Sequence, residues 1–318
     1  MYEGIMAGLT GFAAGPLYLF TQGIPNLVML ILGGVLIYLG VKKDVEPLLL
    51  VPIGFGCLLA NIPFGDLMEK EGFLRVVYDM GIANELFPLL IFVGIGAMTD
   101  FGPLLENPKI LLFGAAGQCG IFITLLLALA LGFPQLQAMA IAIIGACDGP
   151  TSIYVSSRYA PEMLGPISVA AYSYMALVPI IQPPIMRYLT TDKERKTRMG
   201  SVKHTVSATA KLTFPIAVTI VTGLIAPKGL PLMGTIMLGN FMRECGVVTR
   251  LCKASENEIA NVATLFLGLA VGPSQAPMMA MAIDCNSEKP SASASSSVMK
   301  MPHWPAAPIS GFTLPPVR

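Results

Sequence analysis

Gly145-Ala146-Cys147-Asp148-Gly149-Pro150-Thr151-Ser152 sets a carboxylate, two hydroxyls and a Gly-Pro pair together inside an otherwise apolar stretch. An ionisable side chain at membrane depth costs about 3 kcal/mol or more unless it is paired or solvated, so it marks function by default. Asp148 brings negative charge, Thr151 and Ser152 bring neutral oxygens, and a chain break frees backbone carbonyls. That set suits a hard cation, which prefers oxygen ligands. When no metal is present the same carboxylate can hold a proton, so cation and proton would compete for one group. The alternative is a helix cap at an interface, with the Asp148 side chain accepting a backbone N–H.

Other polar groups in apolar runs have plainer explanations. Tyr172-Ser173-Tyr174 lies in a run that ends in Gln182-Pro183-Pro184, and tyrosine hydroxyls near a membrane surface usually belong to the aromatic belt. Asp100 closes the run Gly96-Ala97-Met98-Thr99-Asp100, where a solvated interfacial carboxylate is expected; Asn240, Arg243 and Glu244 sit at another such end. Six Cys (57, 119, 147, 245, 252, 285) are scattered without a CxxC pair and read as small buried hydrophobes. The two His, 204 and 303, fall in a loop and a tail, which argues against a histidine-based transition-metal site. There is no P-loop, GxSxG, dinucleotide glycine fingerprint or HExxH, so the commonest locally readable enzyme classes are excluded.

The elements that must position these residues are membrane helices. With 54% hydrophobic and 12% charged residues and a mean hydropathy of +0.70, the chain is too apolar for an ordinary soluble domain. Crossing roughly 30 Å of hydrocarbon takes about 20 residues. Apolar runs approaching that length fall near 24–41, 47–64, 83–101, 109–133, 137–157, 165–189, 212–227, 230–242 and 259–283. The expected fold is therefore an all-α polytopic membrane protein with about 8–9 apolar segments. Residues 5–22 read as an interfacial or partly inserted first helix with no cleavable signal peptide.

A net charge of +1 suggests no nucleic-acid partner; the basic residues gather in loops instead. Lys42-Lys43 and the 187–211 cluster would both be cytoplasmic under the positive-inside rule, yet five apolar runs separate them. One of the five must enter and leave on the same side or be broken. The best candidate is 137–157, where Gly149-Pro150 interrupts the run from Gln137 to Asp148, and broken segments of this kind commonly hold ions in transporters. The membrane domain is expected over 1–283, and the Ser/Ala- and Pro-rich residues 284–318 read as a disordered tail.

Four strings carry a resemblance: PLLIFVGIGAMTDFGPLLENPK (88–109), AIAIIGACDGPTSIYVSS (140–157), AYSYMALVPIIQPPIMR (171–187) and GNFMRECGVVTRL (239–251). Together they resemble the β subunit of the biotin-dependent, sodium-translocating decarboxylases of oxaloacetate, methylmalonyl-CoA and glutaconyl-CoA, over roughly residues 1–272. The resemblance implies a multi-pass subunit of the bacterial or archaeal cytoplasmic membrane. Such a subunit decarboxylates carboxybiotin, consumes a proton and exports sodium ion. Carboxybiotin would be delivered by a biotin-carrying subunit rather than bound covalently here; a soluble carboxyltransferase, which chooses the acid, and a small membrane subunit would complete the complex. The family's intramembrane aspartate falls on Asp148 and its sodium-site tyrosine on Tyr174, with Thr151 and Ser152 as further metal-site oxygens and Asp100 and Asn240 as weaker candidates. Beyond Gly272 the family continues into an inverted second half with an Asn-Pro-Leu-Ile-Gly stretch that this sequence lacks, so a truncated or frameshifted product is expected. Two other readings stay open: a secondary cation carrier without biotin chemistry, which Asp148 alone equally allows, and an inactive assembly scaffold.

Overall fold

The computed structural model describes residues 19–20, 23–43, 46–197 and 206–275. Most of the expected first helix at 5–22, His204, His303, Cys285 and the expected disordered tail lie outside them. The described chain is helical, without strands. Its helices of eight residues or more are α1 (Ile24–Lys42), α2 (Pro47–Asn61), α3 (Phe73–Gly81), α4 (Leu86–Met98), α5 (Leu111–Ala130), α6 (Gln135–Ala142), α7 (Gly149–Tyr159), α8 (Leu164–Leu189), α9 (Ala208–Ile225), α10 (Leu230–Cys245) and α11 (Ala260–Val271).

Among the described residues, three stretches are long and apolar enough to cross a membrane: Ile24–Lys42, Pro108–Ala130 and Ala208–Ile225. Two further crossings count if each bent pair is one span, which makes five. The pairs are α3 with α4, bent by 58°, and Pro161–Met175 with Ile180–Leu189, bent by 51°. That measure falls short of eight or nine segments because turns divide several apolar runs; α2, α4, α10 and α11 are too short to qualify by themselves. The run read at 83–101 shows why. Its helix starts at Leu86, after an elbow that joins it to the amphipathic α3, whose Leu74, Val77 and Gly81 face inward while Arg75 and Asp79 pair outside.

The core gathers around α2, α4 and α11 and takes in Leu50, Ile53, Ile82, Ile91, Leu267 and Val271. It also includes Ile153 of α7 and Tyr172 of α8, so the helices around Asp148 are anchored to the main body. Contacts between α4 and α10 are close enough to need glycine. A Cβ on Gly96 would stand 1.9 Å from the Ile236 carbonyl oxygen, and one on Gly239 would stand 2.1 Å from that of Val93. Small residues let membrane helices approach in this way, where dispersion replaces the hydrophobic effect as the driving force. The faces of α5 and α9 are left largely uncovered, as expected of surfaces that meet lipid.

Candidate functional site

The 137–157 segment is broken at Cys147–Asp148, immediately before its Gly-Pro pair rather than at it. α6 tightens into a 3₁₀ turn at Ile143–Ala146; Cys147 then adopts a left-handed conformation (φ 58°) and Asp148 an extended one. Gly149 and Pro150 start α7 rather than ending its predecessor. A proline in the first helical turn loses nothing by lacking an N–H, since that donor has no intrahelical partner there. Behind the break, α5 packs directly on the 3₁₀ turn: a Cβ on Gly145 would stand 2.4 Å from the Gly120 carbonyl oxygen.

Asp148 is the N-cap of α7. Its Oδ1 accepts the Thr151 N–H at 3.1 Å and its Oδ2 accepts the Thr151 hydroxyl at 2.6 Å. The Ser152 hydroxyl donates to the Asp148 backbone carbonyl at 2.7 Å. The capping alternative is thus realised in the geometry, and it does not use up the carboxylate. Two ionised oxygens offer about four acceptor sites, of which the cap takes two. The hydroxyl hydrogens are directed at Asp148, leaving the lone pairs of Thr151 and Ser152 as the remaining acceptors. Asp148 and Thr151 are half-buried, Ser152 is fully buried, and no basic side chain pairs with Asp148 among the described residues.

The structure brings Tyr172, not Tyr174, to this turn. The two are separated by about 200° around a helix of 3.6 residues per turn, so they occupy opposite faces of α8. Tyr172 is buried and its ring lies over Gly149, where a Cβ would come within 2.5 Å of the ring. It is also within electrostatic reach of Asp148 and of Glu46, the residue preceding α2. Tyr174 is 42% exposed and lines an open apolar groove of about 240 Å³ with Val178, Ile181, Gln182, Ile185 and Met186. Helical periodicity separates the two tyrosines in the sequence, but which face meets Asp148 is decided by tertiary packing.

Asp100 and Asn240 are brought together elsewhere, at the C-terminal end of α4. Asn240, 1% exposed, donates its amide to the Thr99 carbonyl at 2.8 Å. Arg243 donates to the Met98 and Ala97 carbonyls at 2.5 and 3.5 Å. These are the last carbonyls of α4, which no intrahelical donor reaches, and a cation there also complements the helix dipole. Asp100 accepts the Gly102 N–H at 2.8 Å and lies 3.9 Å from the Lys211 ammonium. No hydrogen bond or ion pair joins this group to Asp148 among the described residues.

Among the described residues, no cluster of three or more His, Cys, Asp or Glu side chains could hold a metal ion. A cation at Asp148 would therefore be met by one carboxylate together with hydroxyl and carbonyl oxygens. That donor set is hard, neutral apart from one charge, and suited to an alkali or similar cation held weakly enough to leave.

The family described as the Na+-transporting oxaloacetate decarboxylase beta subunit matches residues 25–284. The chain is 51% identical to the methylmalonyl-CoA decarboxylase subunit beta of Veillonella parvula, over 80% of this chain and 66% of that protein. It is 49% identical to the glutaconyl-CoA decarboxylase subunit beta of Acidaminococcus fermentans, over 83% and 68%. With the oxaloacetate decarboxylase beta chain of Klebsiella pneumoniae the identity is 43%, over 79% and 72%. The chain spans about two thirds of the length of the first two relatives.

Proposed function

Because the chain belongs to the family of Na+-transporting oxaloacetate decarboxylase β subunits, we propose that it couples decarboxylation of carboxybiotin to sodium movement, with Asp148 as the group that binds the ion. Carboxybiotin is a substrate brought by a partner subunit: its N–CO₂ bond breaks, carbon dioxide leaves, and the ring nitrogen takes up a proton. This chain's contribution is a group that exchanges a cation for a proton. Asp148 holds sodium while ionised, assisted by Thr151, Ser152 and carbonyls of the 143–148 turn, and holds a proton when the sodium has left. The reading places the chain in the cytoplasmic membrane of a bacterium as a multi-pass subunit that exports sodium. Its partners are a biotin-carrying subunit, a soluble carboxyltransferase and a small membrane subunit. Relatives named for three different acids match the chain at 43–51% identity, which supports the choice of acid being made by another subunit.

The observation that carries this reading is the carboxylate at a helix break, held by the Thr151 N–H and hydroxyl, with the Ser152 hydroxyl on its own backbone carbonyl and no basic side chain paired with it among the described residues. A broken segment of this kind presents carbonyls and a helix end to an ion without exposing unsatisfied backbone to lipid. The test is sodium-stimulated decarboxylation of carboxybiotin by the chain reconstituted with its partner subunits. Asp148→Asn keeps the size and the capping ability of the side chain while removing its charge, and it should abolish the sodium-dependent rate. Sodium stimulation retained by Asp148→Asn would overturn the assignment of the ion to this residue.

A further inference from the structure

Glu85 and Arg158 form the only salt bridge between distant parts of the chain with both N–O distances near 3 Å among the described residues. Glu85 occupies the elbow between α3 and α4, in a left-handed conformation with φ 60°. The elbow is held from within: Ile82 is fully buried, and the N–H groups of Ile82 and Ala83 both donate to the Tyr78 carbonyl. Arg158 lies in the last turn of α7, the helix that begins at Asp148. One of its terminal nitrogens donates to both Glu85 oxygens, at 3.1 and 3.0 Å, and reaches the hydroxyl oxygen of buried Tyr154 at 3.4 Å. The guanidinium carbon also stands 5.9 Å from the ring centre of Tyr159.

The pair suits both helices it joins. A carboxylate at the N-terminus of α4 and a guanidinium at the C-terminus of α7 each complement the dipole of their own helix, so neither needs the other merely to be tolerated. Their meeting fixes the far end of α7 against the elbow. Between the two ends, α7 has 11 residues, about 16 Å at 1.5 Å per residue. Ile153, fully buried in the same core as Ile82 and Ile91, packs the middle of the helix between those ends. A shift at Arg158 must then appear as tilt or rotation at Asp148, because a short helix moves as a rod.

We infer that Glu85 and Arg158 are positioning residues: the pair sets the attitude of α7 and thereby the placement of the Asp148 carboxylate and the Thr151 and Ser152 oxygens. This inference rests on the proposed sodium site at Asp148, although neither residue would touch the ion.

The experiment uses the full chain in its reconstituted complex and reads the sodium half-saturation and the maximal rate separately for Glu85→Gln, Arg158→Gln, the double variant and Arg158→Lys. The expectation is that each glutamine substitution raises the half-saturation about fivefold, with a smaller change in maximal rate, and that the double variant is no worse than either single one, as befits residues acting as a pair. Arg158→Lys, which keeps the charge, should stay within about twofold of the parent. An unchanged half-saturation alongside a lowered unfolding midpoint would overturn the inference and leave a brace; so would additive effects in the double variant. A second readout separates failure of this inference from failure of the sodium reading: the rate of maleimide alkylation of Cys147 in a variant with no other cysteine. If Asp148→Asn shows that no sodium binds there, a Cys147 alkylation rate that rises in the glutamine variants still supports the tether, and an unchanged rate overturns it.

Discussion

Two of the polar groups in this apolar chain, the turn at 147–152 and the end of α4, differ in what satisfies their polar atoms. At the end of α4 the accounts are closed: Asn240 and Arg243 cover the carbonyls of Ala97, Met98 and Thr99, and Asp100 faces Lys211. At the turn, Asp148 is held by one N–H and one hydroxyl and pairs with no cationic side chain among the described residues. An exposed carboxylate, screened by water and with a lysine nearby, has little hold on a mobile ion, whereas a half-buried one held only by neutral donors meets a ligand with less screening. Residue type therefore separates the two groups less well than the identity of their partners.

The comparison is sharpest in charge removal at the two places. Asp148→Asn should lower the sodium-dependent rate by at least about 100-fold, equivalent to roughly 2.7 kcal/mol. It should barely move the unfolding midpoint, because Asn caps a helix about as well as Asp. Asn240→Leu should do the reverse. Leaving the Thr99 carbonyl without its buried donor costs about 1–3 kcal/mol, so the thermal midpoint in detergent should fall while the sodium half-saturation of the folded protein stays put. A large shift in half-saturation for Asn240→Leu would break the distinction between the two groups.

Thr151→Val tests a finer point within the turn. It removes the hydroxyl at 2.6 Å from Asp148 while leaving the backbone cap in place. A hydrogen bond to a charged group contributes about 1.5–3 kcal/mol; part of that loss should be offset by water or the ion, so the sodium half-saturation should rise about three- to tenfold. Thr151→Ser should recover most of it. Equal affinities for the Val and Ser variants would remove Thr151 from the site.

How much of this was legible in the sequence depends on how local each feature is. The acidic turn could be read directly, since Asp148, Pro150, Thr151 and Ser152 are neighbours in the chain and their cap closes within four residues. Even there the break was displaced: Gly149-Pro150 resembles a stop, and only the left-handed Cys147 shows that it is a start. The resemblance drawn from four short strings led to the family that matches residues 25–284. The elbow at 82–85 gave no warning, because α3 is amphipathic and its continuation into α4 depends on packing rather than hydropathy. The same is true of Tyr172, which lies beside Asp148 only because α8 presents that face and Gly149 leaves room for its ring.

The smallest expected effect is at Lys211. Its ammonium is 3.9 Å from Asp100, with the two side chains 31% and 47% exposed, so water screens the pair and it should contribute no more than about 0.5 kcal/mol. Asp100 retains its bond to the Gly102 N–H when the lysine is lost. Lys211→Ala should therefore leave both the unfolding midpoint and the sodium half-saturation within error of the parent, measured in parallel with Asn240→Leu. If it instead changed the sodium response several-fold, Asp100 would behave as a carboxylate released from its partner. The end of α4 would then have to be counted with the 147–152 turn as part of the ion's path, rather than as the closed group with which it is contrasted.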